Sequence, residues 1–287
     1  MFEELPPSLR SSHRAAALLT FKEACALSPH ARRNPFILTH YAVHKSLRAA
    51  ALSAFTMHNE TLNVWSGALS FLLAAWLWWS AGVPALRGGA PAALLRRFAA
   101  WLAVQASCVV SYHALLSYPP TYDVMSAVDL AGVSLLTQGL LCASHIPGMS
   151  AVHARLPPNT RDAVLAAEAG ALLLASAAVV ALRLRIRRES PPALLAANCL
   201  AYVPIVVDFA RGAWPHAAAV VAPALLVGGV AAYALRLPER VARSPACDLF
   251  NSHTVWHLCY TASVAVYAAH AVRCALRAAE SATTGPG

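Results

Sequence analysis

Two histidines one helical turn apart open the last long apolar run of the chain, in the stretch Cys247-Asp248-Leu249-Phe250-Asn251-Ser252-His253-Thr254-Val255-Trp256-His257. On a helix, His253 and His257 project from one face. Two imidazoles so placed can grip one metal ion, and zinc is the commonest guest for that geometry. The spacing alone is a weak signal, because His40 and His44 repeat it near the N-terminus. Position sets the later pair apart: it lies at the mouth of a membrane-length apolar segment, where a strongly polar group costs free energy unless it has a partner. His113, near the end of an earlier apolar run, and Asp129, near the start of the next, are candidate partners. Three imidazoles leave zinc one open position, the catalytic rather than the structural pattern, and zinc lowers the pKa of a water held there to about 7. Asp129 can then hold that water, act as general base, or support a ligand from behind. The competing reading makes the three histidines hydrogen-bonding groups between helices, without metal. Spacing does not choose between the two.

The elements that must position these groups are membrane spans. The 287 residues are 58% hydrophobic and only 12% charged, about half the charged fraction of a soluble domain. Seven apolar runs, at about residues 63–83, 94–116, 124–143, 163–184, 192–210, 214–235 and 253–276, each approach the roughly 20 residues that a helix needs to cross the hydrocarbon core. Turn chemistry separates them, as at Gly88-Gly89, Tyr118-Pro119-Pro120-Thr121, Pro147-Gly148 and Ser190-Pro191-Pro192. The expectation is an all-α, seven-transmembrane helix bundle over residues 58–276. A basic segment, residues 1–57, precedes it and a short tail, residues 277–287, follows. Within the basic segment, residues 46–57 mix Leu47, Leu52 and Phe55 with flanking Lys45 and Arg48, which suits an interfacial helix as well as an ordinary lead-in. No cleavable signal peptide is expected in residues 1–57.

With seven spans, 14 of the 22 lysines and arginines fall on the side of the N-terminus. That bias predicts a cytoplasmic N-terminus and an extracytoplasmic C-terminus. The formal charge of +9 is then explained by arginines facing anionic lipid, and no nucleic-acid partner is expected. Seven cysteines, an odd number scattered through apolar runs, imply no disulfide framework. Asp208 and Arg211 are expected to pair at the far end of the fifth span.

Parity gathers the chemistry at one face. The start of span one, the end of two, the start of three and the start of seven are all cytoplasmic. Depth agrees: His113 lies about 9 Å of helix from the Pro119-Pro120 turn, and Asp129 about 12 Å from Thr121.

At these residues the sequence resembles the progestin and adipoQ receptor family, which includes adiponectin receptors, membrane progestin receptors and haemolysin III-like proteins. The resemblance runs from about Phe36 to His270. It is carried by Phe36-Ile37-Leu38-Thr39-His40-Tyr41, by His58-Asn59-Glu60-Thr61-Leu62-Asn63-Val64-Trp65-Ser66, by Asp129-Leu130-Ala131-Gly132-Val133-Ser134, and by Cys247-Asp248 with Ser252-His253-Thr254-Val255-Trp256-His257. The wording after Asp129 leans toward the progestin-receptor branch. The resemblance implies seven helices with a cytoplasmic N-terminus, opposite to G-protein-coupled receptors. It also implies zinc held by His113, His253 and His257, with Asp129 close to the bound water. Hydrolysis of a lipid amide is attributed to some members and hormone or lipid signalling to others. Three departures stand out. Val109 occupies the place of a usual serine, with Ser107 and Ser111 on other faces. The loop from His113 to Asp129 is one residue short. Ser66-Gly67 replaces a usual Thr-His.

The expectation is therefore a multi-pass protein of the plasma membrane or another secretory-pathway membrane, with an intramembrane zinc site near the cytoplasmic face. The metal ligands are His113, His253 and His257, and Asp129 is the catalytic residue of a ceramidase-like reaction. The alternative is a non-catalytic hormone or lipid sensor with structural zinc. Partners would be membrane lipids and a sphingolipid or steroid-like ligand. His58, Asn59, Glu60 and Asn63 are read as a capped polar helix start tied to neighbouring loops.

Overall fold

The computed structural model describes residues 18–186 and 217–284, and these are almost wholly helical. In chain order the α-helices are α1 (Phe21–Leu27), α2 (Leu47–Ser53), α3 (Thr61–Ser80), α4 (Ala90–Leu115), α5 (Tyr122–Ser144), α6 (Ala151–Ala154), α7 (Pro158–Ile186), α8 (Ala217–Leu235), α9 (Glu239–Ala242), α10 (Pro245–Leu249) and α11 (Ser252–Thr284). Among the described residues, five helices are long and apolar enough to cross a membrane: α3, α4, α5 with the short turn before it, most of α7, and α8 running on to Ala242. α11 has 33 residues, ample length for a crossing. Ser252, His253, Thr254 and His257 at its mouth, and Arg273 and Arg277 toward its end, dilute its apolar character. The run at 192–210 and the Asp208–Arg211 pair lie outside the described residues. α11 continues past the expected boundary at residue 276.

The helices stop where the chain loses the means to continue them. Pro91 sits in the first turn of α4, where its missing N–H costs nothing. Pro119 and Pro120 form a 3₁₀ turn between α4 and α5. Ser244 caps α10 by accepting the Cys247 N–H at 3.4 Å, with Pro245 in its first turn.

Small residues set the helix spacing. A Cβ added at Gly132 of α5 would come within 2.5 Å of the Cys108 Cβ of α4, so the two backbones approach closely only because glycine is there. α4 lies between α3 and α5, and α11 packs on α3, α4 and α8. Their shared core holds Leu77, Leu95, Phe98, Leu136, Val264 and Tyr267. Leu72, Trp78 and Trp79 of α3 face outward, and the two tryptophans near its C-terminal end suit a membrane–water boundary.

Residues 18–44 fold over one end of this bundle. Thr20 and Glu23 make a reciprocal capping box on α1, and Leu19 pairs with Tyr41 in an isolated antiparallel bridge. His40 and His44 belong to no helix. Their i, i+4 spacing therefore gives no shared face, and they form no counterpart to His253 and His257. α2 follows, capped by the Ser46 hydroxyl on the Ala49 N–H. Leu47, Leu52, Phe55 and Met57, on and just beyond α2, are exposed.

Candidate metal centre

Three imidazoles converge under the N-terminal cover. His113 comes from the last turn of α4, and His253 and His257 from the first turns of α11. Their ring centroids form a nearly equilateral triangle: 5.0 Å from His113 to His253, 4.8 Å from His113 to His257, and 4.9 Å between the α11 pair. One nitrogen from each ring lies within 4.8 Å of the others, a grouping that can hold a metal ion. His113 is fully buried and His257 is buried. Tyr233 of α8 closes one side, with its ring 5.3 Å from that of His253.

The orientation of His113 is fixed from behind. Its Nδ1 lies 2.7 Å from Glu60 Oε2. A carboxylate only accepts, so Nδ1 carries the proton and Nε2 presents a lone pair. That Nε2 points at His257 Nε2, 3.1 Å away. Donor atoms on a tetrahedral zinc with bonds near 2.05 Å stand about 3.3 Å apart. A carboxylate behind the imidazole is also the usual support for a metal-bound histidine. The donor set and its tautomer therefore suit zinc.

The motif at the start of α3 serves as a brace. Glu60 is the residue before α3, yet its side chain makes no capping bond. The capped helix start expected there is not formed by Glu60; its carboxylate instead turns inward to His113. Asn63 Nδ2 donates to Glu60 Oε2 at 2.8 Å, and Thr254 of α11 donates to Asn63 Oδ1 at 2.8 Å. Asn251 Nδ2 donates to the Asn59 carbonyl at 3.3 Å. One short segment thus ties both ligand-bearing helices together. His58 supports it: its Nδ1 accepts the Glu60 N–H at 3.2 Å, and its Nε2–H donates to the Ser53 carbonyl at 3.1 Å. Burial pushes the His58 imidazole below its ordinary pKa, in keeping with a neutral ring whose two nitrogens already have opposite roles.

The mouth of α11 is held as firmly. Asn251 Oδ1 accepts the N–H groups of His253 and Thr254. Glu239, fully buried, accepts from Ser252 N at 2.7 Å, from Ser252 Oγ at 2.5 Å and from Asn34 Nδ2 at 2.7 Å. A carboxylate at a helix N-terminus meets both unsatisfied N–H groups and the positive end of the dipole. Asp248 accepts the backbone N–H groups of Leu38 and Thr39, each at 3.0 Å, and the Thr39 hydroxyl at 2.6 Å. The N-terminal cover is thereby fastened to the segment that launches His253 and His257.

Asp129 sits about two turns into the same end of α5, within the electrostatic reach of His113, Glu60 and Arg33. Its Oδ1 is buried and has no hydrogen-bond partner among the described residues. A buried, unpaired carboxylate oxygen calls for a donor or a cation.

The two sequence departures at residues 67 and 109 turn out to be neighbours. A Cβ at Gly67 would fall 2.8 Å from Val109 Cγ1. The branched valine fits only because residue 67 has no side chain. Ser107 and Ser111 are exposed, and the Ser107 hydroxyl bonds back to the Ala103 carbonyl at 2.9 Å. Neither supplies the missing hydroxyl.

The sequence model of the Haemolysin-III related family matches residues 55–268. Heptahelical transmembrane protein ADIPOR3 of Oryza sativa subsp. japonica is 46% identical over 48 residues, which is 17% of this chain and 12% of that protein. Heptahelical transmembrane protein 3 of Arabidopsis thaliana is 41% identical over 51 residues, 18% of this chain and 15% of that protein. Heptahelical transmembrane protein 1 of Arabidopsis thaliana is 40% identical over 48 residues, 17% and 14%. The matched stretches cover only a small part of these relatives.

Proposed function

This chain belongs to the haemolysin-III-related family of membrane proteins, and on that premise we propose that it is a seven-span protein with a zinc site near its cytoplasmic face that hydrolyses a lipid amide. The observation that carries the reading is the His113–His253–His257 triangle, backed by Glu60, with the buried and unpartnered Asp129 oxygen within electrostatic reach of His113. A zinc ion held there supplies Lewis acidity and a water acidified to near neutral pH. Glu60 keeps His113 in the tautomer that can ligate. Asp129 takes the proton from the attacking water and returns it to the departing amine, because its oxygen has no other partner. The first turns of α11 hold two donors in fixed register, so little reorganisation is needed when substrate arrives. Substrate reaches the site from the bilayer, between helices.

The seven-span count rests on direction as well as composition. α8 lies antiparallel to α11, with Tyr233 against His253 and the Ala222 carbonyl on Ser263. The apolar run at 192–210 would complete the crossings. α2, with Leu47, Leu52, Phe55 and Met57 exposed, would lie at headgroup level beside the site.

A second reading is favoured by one observation. Val109 fills the usual serine's place and packs on Gly67, so the serine hydroxyl that the family resemblance would put at that position is absent. On this reading zinc is structural and the protein senses a lipid or steroid-like ligand. Purified protein with labelled ceramide separates the two. Release of sphingosine that depends on zinc, and is lost in His257→Ala and Asp129→Asn, supports hydrolysis. Full metal loading with no release across lipid amides of varied chain length supports the sensor.

A further inference from the structure

A second cluster of ligating groups stands at the other end of α5. His145 follows the last residue of α5, His153 lies in α6, and Glu168 is in α7. Along α5 the cluster is about 24 Å from Asp129, so it is separate from the triad. His145 Nε2 lies 3.0 Å from Glu168 Oε2, and His153 Nε2 lies 3.3 Å from Glu168 Oε1. The two rings stack at 3.9 Å with 20° between planes. One nitrogen of each ring and one carboxylate oxygen all lie within 4.8 Å of one another. Both histidines are buried, and the Glu168 side chain is about one-third exposed at 33%.

Hydrogen-bond accounting leaves a place for a positive charge in this cluster. The Ser144 hydroxyl donates to the Leu141 carbonyl at 2.7 Å. Its oxygen can therefore only accept from His153 Nδ1, 3.2 Å away, and the Ser144 carbonyl, 3.3 Å from the same nitrogen, is an acceptor by nature. His153 Nδ1 thus carries the proton. In a neutral ring Nε2 is then a lone pair, and it faces a carboxylate oxygen. Two lone pairs at that distance repel unless a cation intervenes. A proton on His153 would relieve one contact. Protons on both rings would stack two imidazolium ions face to face in a buried site. A divalent ion would offset the carboxylate charge and take up the His153 Nε2 lone pair, together with that of His145 in its Nδ1–H tautomer. The 3.0 Å and 3.3 Å separations, each to a different Glu168 oxygen, are close to the roughly 3.3 Å between donors on a tetrahedral ion with bonds near 2.0 Å.

We propose that His145, His153 and Glu168 form a second divalent-metal site, for an ion of the zinc class, at the opposite end of the helix bundle from the triad. Two imidazoles and a carboxylate are a recognised zinc donor set, and the exposed side of Glu168 leaves room for a water as fourth ligand. The Ser144 contacts to His153 fix its tautomer as Glu60 does for His113.

The test is zinc stoichiometry on the full chain purified in detergent, stripped of metal and titrated with zinc alone. Wild type is expected to bind two equivalents. Glu168→Gln and His145→Gln should each lose one, and the His253→Ala/His257→Ala double variant should retain one that disappears when His145→Gln is added. Zinc lost in Glu168→Gln but not in His257→Ala carries the proposal even if the triad binds nothing. Zinc retained at wild-type stoichiometry by both Glu168→Gln and His145→Gln overturns it and leaves a protonated His153 as the cation. Because retention of the triad's equivalent reports that a variant is folded, loss of both equivalents in Glu168→Gln with both kept in His145→Gln also overturns it.

Discussion

Glu60 is the residue on which the geometry of the triad turns. It holds His113 at 2.7 Å and is itself held by Asn63 at 2.8 Å. Replacing it with glutamine removes the charge while keeping the shape. An amide can accept the Nδ1 proton but polarises the ring less, so Glu60→Gln should weaken zinc binding at the triad by about 10- to 100-fold. Competition with a chromophoric chelator measures this, and unchanged affinity would mean that the carboxylate only packs. His58, one step back, makes a prediction about pH. Its folded-state pKa is depressed from an ordinary 6.5 by burial, and the Glu60 N–H already occupies Nδ1. His44, whose buried Nε2 has no hydrogen-bond partner among the described residues, is depressed by burial too. Below pH 6.5 the unfolded chain takes up protons that these folded rings refuse. Stability should therefore be unaffected by them above about pH 7.5 and fall as pH drops from about 6.5 to 5.5. In detergent, the acid-side drop in Tm should shrink in a His58→Gln/His44→Gln variant; an identical drop would sink the assignment. Sequence patterning reaches the four polar residues at the start of α3 but reads them as a helix start. What it misses is a contact between residues 53 positions apart, which no local spacing encodes.

The elements show where sequence periodicity suffices and where it does not. Apolar run lengths and the parity of their ends place His113, Asp129, His253 and His257 at one face; α4 and α5 start and stop within a few residues of the expected boundaries, and α11 starts where expected but runs on to Thr284. The clamp at the mouth of α11 is not legible in this way. Glu239 is one acid among Arg236, Arg240 and Arg243, and it reads as a solvated loop residue until Asn34 and Ser252 are seen to surround it. Glu239→Ala should strip the helix N-terminus of its carboxylate and leave Asn34 and Ser252 unpaired, costing about 2–4 kcal/mol; a thermal shift below that of a surface Glu280→Ala control by only a degree would refute the clamp. Between α3 and α4 the pairing of Gly67 with Val109 is likewise visible only after folding. Gly67→Ala should force Val109 from its place and cost about 1–3 kcal/mol. Adding Val109→Ala frees the space, so the double variant should be more stable than Gly67→Ala alone. Additive losses would show that the two departures from the family pattern are independent.

At the scale of the whole molecule, the question is on which side each end of the bundle lies. The triad, the N-terminal cover and the mouth of α11 share one end, while His145, His153 and Glu168 gather at the other. Fourteen of 22 basic residues fall in segments that seven crossings would assign to the side of the triad, and such an excess is retained in the cytoplasm. An odd number of crossings further requires that the two chain ends face opposite compartments. An epitope placed before Met1 should therefore be shielded from antibody in intact cells and become accessible only on permeabilisation, whereas one placed after Gly287 should be labelled without it. Both epitopes on one side would mean an even number of crossings. Both sides reversed would keep seven spans but put the triad under the outer leaflet, where the second cluster is expected. The two sites would then exchange compartments, and zinc supplied outside intact cells would fill the triad first instead of the His145–His153–Glu168 cluster.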